Sequence, residues 1–187
     1  VAPDNFNSAR VCQQRLESIC ETEESGENEM TRIPLKDGMN IEVLLVEDSP
    51  GDVRLTQEAF LGANPSVHIN IATDGVEAMA FLRNEGVYAQ APRPDLILLD
   101  LNMPRMDGRE VLAQVKHNRI LKTIPTVILT TSADEADIKK SYQLQANCYL
   151  RKPVELDVFE QLVQSINDFW LTEVRLPHLE LAGDESN

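Results

Sequence analysis

The chain is short of cysteine, of basic residues and of long apolar runs, and each shortage removes a class of protein. Only three of the 187 residues are cysteine, at Cys12, Cys20 and Cys148. The number is odd and no two have the C-x-x-C spacing of a zinc or redox site. Cys148 falls in a predicted strand and reads as a small buried hydrophobe. Lysine and arginine total 17 against 31 aspartates and glutamates, a net charge of -14. That argues against non-specific binding to DNA, RNA or an anionic membrane surface, all of which need a basic patch. It is compatible with a metal cation at a carboxylate cluster, and equally with a solvated acidic surface. No apolar stretch approaches the ~20 residues of a membrane span. The N-terminus has no basic region followed by an apolar core, so no secretory signal is read. The expectation is a soluble, cytoplasmic protein.

What is present is a hydrophobic content of 42%, enough for a packed core. Residues 1–39 stand apart. Ser8 would cap a short helix with Val11, Cys12, Leu16, Ile19 and Cys20 on one stripe, and the acidic run ETEESGENEM then reads as a flexible linker. This extension is either a tail without a role or a partner-docking helix. Met39 is a candidate translation start.

Residues 40–170 alternate strand and helix. The strands are Ile41–Val46, Val67–Ala72, Leu96–Leu99, Thr126–Leu129 and Cys148–Leu150. The LILL run is apolar throughout, as in a strand buried on both faces of a parallel sheet. Val67–Ala72 alternates and reads as an edge strand, with His68 on its solvated face. Ser49 before Pro50 starts the first helix, with Val53, Ala59 and Phe60 inward. Asp74–Gly75 opens a second, with Val76, Met79, Ala80 and Leu82 inward. Pro104, Asp107 and Gly108 turn the chain into a third, carrying Val111, Leu112 and Val115. Ser132 and Glu135 have capping-box spacing and start a fourth. The fifth carries Phe159, Leu162, Val163, Ile166 and Trp170. The fold class is therefore α/β, a doubly wound five-stranded parallel sheet of order 2-1-3-4-5, the flavodoxin-like topology.

Parallel strands bring their carboxyl ends to one edge, where ligands bind in such sheets. Glu47 and Asp48 follow strand one, Asp100 follows strand three, Thr130 ends strand four and Lys152 follows strand five. Each alone has a plain explanation as a helix cap, strand end or surface charge. Together they form a pocket for an anion on a hard cation such as Mg²⁺, with a carboxylate as nucleophile. Crowded carboxylates repel, so at least one should be harder to ionise unless a cation relieves it.

The motifs LLVEDS, LILLDLNMPRMDG, PTVILT and CYLRKP resemble the four signatures of response-regulator receiver domains, over about residues 40–170. The resemblance implies that Asp100 accepts a phosphoryl group from a histidine kinase. It implies Mg²⁺ on Asp48, Asp100 and the backbone carbonyl of Asn102, with Glu47 acting through water. Lys152 would contact the phosphoryl group, Thr130 would close on it, and Tyr149 would swing inward with Thr130. A packed edge aromatic is the plainer reading of Tyr149. Asn102 and Ser132 would tune the lifetime, and Lys152–Pro153 would be cis. The PGD after strand one, NEGVYAQAPRPDLILLDLNMP and the FWL…VRLP ending look more narrowly like regulators paired with cyanobacterial and bacterial phytochromes. That would make the kinase a phytochrome-type photoreceptor.

Residues 171–187 are too short for an output domain, so the expectation is a stand-alone receiver acting through protein contacts. The tail carries Leu171, Val174, Leu176, Leu179 and Leu181, which suit either a fold back onto the last helix or a homodimer through helices four and five with the tail. Two other classes remain. One is a binding module of the same fold that is never phosphorylated. The other is a haloacid-dehalogenase-like phosphatase, which needs D-x-D where this chain has Asp100, Leu101 and Asn102.

Overall fold

The computed structural model describes residues 41–63 and 66–177. The strands are β1 (Ile41–Val46), β2 (Val67–Ala72), β3 (Leu96–Leu99), β4 (Thr126–Thr130) and β5 (Cys148–Arg151). The helices are α1 (Pro50–Ala63), α2 (Gly75–Leu82), α3 (Gly108–His117), α4 (Glu135–Gln143) and α5 (Leu156–Ile166). Short 3₁₀ turns lie at Gly86–Tyr88 and Leu121–Thr123, and a π-helix, Asn167–Glu173, continues α5. All five strands pair in parallel in the order β2-β1-β3-β4-β5. No helix among the described residues is long and apolar enough to cross a membrane.

Alternation along each strand sorts side chains onto two faces. Leu44, Val46, Ile97, Leu99 and Ile128 face α2 and α3, joined by Ala78, Met79, Phe81, Val111, Leu112 and Val115. Val43, Leu45, Leu96, Leu98, Val127 and Leu129 face α1 and α5, joined by Phe60, Phe159, Val163 and Ile166. β3 lies between neighbours on both edges and under helices on both faces, and all four of its residues are buried. The helices differ in how firmly they are held. α3 buries Gly108, Val111, Leu112 and Val115, whereas α4 fully buries only Ser141. A helix with so little covered surface is the one that moves at least cost.

Ser49 Oγ accepts from Asp52 N at 3.3 Å, the cap expected before Pro50. Three expectations are corrected. On α2 the buried face is Gly75, Ala78, Met79, Phe81 and Leu82, while Val76 is 44% exposed and Ala80 half-buried. The helix is rotated because Gly75 must face the core: a Cβ there would lie 2.5 Å from the Met106 carbonyl oxygen. α4 begins later than the Ser132–Glu135 spacing suggests. Asp134 is its N-cap, accepting from Ala136 N at 2.9 Å, and Ser132 is left for another task. Lys152–Pro153 is trans; the X–Pro preference of only about 0.5–1 kcal/mol means the motif alone does not select an isomer. The helix carrying Trp170 widens to π geometry after Ile166, which brings both Trp170 and Leu171 into the core.

Val174 and Leu176 pack against the α1–α5 face, and Arg93 donates to the Pro177 carbonyl at 3.4 Å. This part of the tail therefore folds back on its own domain. The readings made for residues 1–39, Leu179 and Leu181 lie outside the described residues.

Gly108 sets the sharpest steric test of this packing. An added Cβ would lie 2.0 Å from the Asp100 carbonyl oxygen and 2.8 Å from Leu101 Cα, both rigid backbone. Gly108→Ala is expected to cost about 3 kcal/mol or more, the upper end for overpacking, measured by urea unfolding. Gly62→Ala, with open space around it, is expected to be neutral or slightly stabilising.

Candidate functional site

The strand register assembles the site. Val46 pairs with Leu99, so the next residues, Glu47 and Asp100, emerge side by side, with Asp100 N donating to the Val46 carbonyl at 3.0 Å. Thr130 pairs with Arg151, and Lys152 N donates to the Thr130 carbonyl at 2.8 Å. Glu47, Asp100, Thr130 and Lys152 are all buried, while Asp48 is exposed.

Lys152 reaches into this cluster. Its Nζ donates to Asp100 Oδ2 at 2.9 Å, to Asp52 Oδ2 at 2.8 Å and, in a very short contact, to Glu47 Oε2. Burial alone would lower its pKa, but the bonds to Asp52, Glu47 and Asp100 outweigh that and hold the ammonium above the ordinary lysine value. Burial pushes the Glu47 carboxyl up; Lys152 pulls it down, Asp100 pushes it further, and the balance stays above normal. One cation thus bonds three carboxylates, Glu47, Asp52 and Asp100, and does not neutralise them.

A metal fits this charge deficit. One carboxylate oxygen each from Glu47, Asp48 and Asp100 lie within 4.8 Å of one another. An all-oxygen set open to solvent on the Asp48 side suits a hard divalent cation. Asp100 Oδ1 accepts from Asn102 N at 3.2 Å, which ties the loop after β3 back onto the Asp100 carboxylate.

The remaining predicted residues sit beside this cluster. Thr130 Oγ1 accepts from Ser132 N at 3.4 Å. Tyr149 is buried against the α2–α3 face and its hydroxyl donates to the Ser132 carbonyl at 3.1 Å. It is therefore turned inward and tied to the loop after β4. His68 is exposed on the edge strand and pairs with Glu42 at 2.8 Å, as a surface residue.

Asp52 was missed. It lies in the first turn of α1, where the helix N-terminus favours a carboxylate. The Ser49–Asp52 spacing was the available signal, but it reads as capping and gives no hint that the carboxylate reaches Lys152.

A family model described as the response regulator receiver domain matches residues 43–166. Response regulator Rcp1 of Synechocystis sp. is 52% identical over 135 residues, covering 72% of this chain and 92% of Rcp1. Among solved structures, the phosphorylated cyanobacterial phytochrome response regulator RcpA superposes with a TM-score of 0.73 at 50% identity, covering 74% of this chain and 99% of RcpA. The Mn²⁺-bound form of Rcp1 gives 0.71 at 51% identity over the same shares. The bacteriophytochrome response regulator RtBRR gives 0.61 at 38% identity, covering 76% of this chain and 83% of RtBRR.

The raised Glu47 carboxyl fixes a pH dependence. A carboxylate whose folded pKa lies above its unfolded value favours folding when protonated, and that contribution is lost as pH rises through the folded pKa. Glu47→Gln is therefore expected to raise the melting temperature of metal-free protein at pH 7. The gain should shrink as pH falls and vanish below about 4.5, the ordinary glutamate value. Thermal melts between pH 4 and 8 check it.

Proposed function

The chain belongs to the response-regulator receiver family, and from that premise we propose that Asp100 is its phosphoacceptor, charged by a histidine kinase. The observation that carries this reading is the buried Asp100 carboxylate, held between the Asn102 amide and Lys152 inside an acid cluster. In the transfer, the phosphorus–nitrogen bond of a phosphohistidine breaks as Asp100 forms a phosphorus–oxygen bond. The products are an acyl phosphate and a free imidazole.

Asp48, Asp100 and the Asn102 backbone carbonyl would hold Mg²⁺ directly, and Glu47 would act through water. A bound Mg²⁺ would neutralise charge on the oxygens of the transferring group. Lys152 adds a point charge already 2.9 Å from Asp100. Release of its grip on Asp52 and Glu47 would let the ammonium follow the incoming phosphoryl oxygens. The Thr130 hydroxyl then binds the same group and draws the loop after β4 toward it, and Tyr149 holds that loop from beneath. Asn102 and Ser132, beside the phosphoacceptor and Thr130, would set the lifetime of the acyl phosphate.

This is a signalling module rather than an enzyme. The similarity to phytochrome response regulators supports a phytochrome-type photoreceptor kinase as donor. Output would pass through protein contacts, with a homodimer across α4, α5 and the C-terminal tail in the cytoplasm. The tail residues Leu171, Val174 and Leu176 pack against the core beneath α5. Neither nucleic acid nor membrane is a proposed partner of this acidic chain.

With Mg²⁺ and a small phosphodonor, intact-mass analysis is expected to show one added phosphoryl group, absent in Asp100→Asn. Transfer from phytochrome-type kinases should outpace transfer from unrelated histidine kinases. A wild-type protein that gains no phosphoryl group from any donor would make the chain a binding module of the same fold.

A further inference from the structure

One cluster outside the acid pocket joins the two loops that must move together. Arg109, in the first turn of α3, bonds two acids. Its Nη1 donates to Asp107 Oδ2 at 2.8 Å, and its Nε and Nη2 reach Asp137 Oδ1 of α4 at 3.1 and 2.5 Å. The other oxygen of Asp137 accepts from Ser132 Oγ at 2.6 Å. The carbonyl of that same Ser132 accepts the Tyr149 hydroxyl, and its amide donates to Thr130 Oγ1. One residue of the β4–α4 loop is thus fixed at its hydroxyl, carbonyl and amide.

The other end of the chain of contacts is equally firm. Asp107 caps α3, with its Oδ1 accepting from Arg109 N at 2.6 Å. The adjoining Gly108 packs directly on the Asp100 backbone, and its amide donates to the Leu101 carbonyl at 2.9 Å. Arg109 therefore stands on the phosphoacceptor loop and reaches across to α4, the helix that buries least. Both Arg109 and Asp137 are about four-fifths buried along their side chains, so their bonds are poorly screened by solvent. The guanidinium fork fixes direction as well as charge. Arg109 and Ser132 lower the Asp137 pKa, so the latch is ionised at neutral pH.

We propose that Arg109 is a positioning residue for the switch: acting through Asp137 it fixes Ser132, and with it the carbonyl that holds Tyr149 inward. The latch ties the loop after Thr130 to the loop of Asp100, and so favours the arrangement in which Tyr149 is already turned in. Its consequence for phosphorylation rests on the phosphoacceptor reading; its effect on Tyr149 does not. Losing the latch lowers the population of the inward state and weakens any ligand that requires it.

The test uses the full chain carrying 3-fluorotyrosine, with the Tyr149 signal assigned against Tyr149→Phe. Arg109→Gln, Asp137→Asn and Ser132→Ala remove three different atoms of one path. Each is expected to move the Tyr149 fluorine signal of the unmodified protein toward its solvent-exposed position. Arg109→Gln with Asp137→Asn should move it no further than either alone. Affinity for beryllofluoride with Mg²⁺ should fall about fivefold, as for a coupling at the low end of the usual range, while Mg²⁺ affinity alone is unchanged. A Tyr149 signal unmoved in all three variants overturns the proposal, whatever happens to their melting temperatures. If the signal moves as expected but wild type takes up neither beryllofluoride nor phosphate, the latch stands and the phosphoacceptor reading falls.

Discussion

The ammonium of Lys152 among three carboxylates is the interaction on which the rest depends. Four separate segments supply the groups: the end of β1 gives Glu47, the first turn of α1 gives Asp52, the end of β3 gives Asp100 and the end of β5 gives Lys152. Only an in-register parallel sheet brings them to one edge. The cost of burying these charges is high, and a single lysine does not cancel them. Such a cluster persists because the cores on both faces of the sheet over-determine its position. Under the proposed function the imbalance is useful, since a site left short of positive charge would bind a divalent cation and reorganise when charge arrives.

How that reorganisation travels follows from uneven packing. β3 and α3 are deeply buried, so Asp100 and the turn at Gly108 form a fixed base. α4 is covered on little of its surface and is held by polar contacts at its start, through Asp134, Asp137 and Ser132. Polar contacts between partly covered groups exchange with modest energy, whereas a packed apolar face does not. Under the proposed function a change at Asp100 would therefore leave the sheet in place and be expressed in the loop after β4. The opposite end of the molecule is pinned, with Arg93 on the Pro177 carbonyl and Lys116 bonded to the Ile124 carbonyl and to Asn147.

Most of the fold was legible because apolar runs and turn residues are local signals. The order 2-1-3-4-5, the limits of β1 and β2, and the strand-end positions of Glu47, Asp100, Thr130 and Lys152 all followed from them. The misreadings have physical reasons. The face of α2 was mistaken because the contact that rotates it, Gly75 against Met106, is made by residues far apart in the chain. Ser132 matched a capping pattern, but Asp134 lies nearer the helix start and took that role, leaving Ser132 to bond Asp137. Asp52 and Arg109 were invisible as site residues for the same reason: their partners are 100 and 28 positions away, and no local pattern reports such pairs. Tyr149 carried two expectations, a side chain that swings inward with Thr130 from the family motif and a packed edge aromatic from its place in the strand, and its buried ring is compatible with both.

The central claim is that surplus carboxylate charge around Lys152 makes a divalent-cation site with Asp100 inside it. Calorimetric titration with Mg²⁺ at pH 6, in two buffers of different ionisation enthalpy, tests it most directly. The account predicts one ion bound per chain, with the same stoichiometry in both buffers, and a marked loss of affinity in Asp100→Asn. Heats indistinguishable from dilution, or binding of equal strength in Asp100→Asn, would contradict it.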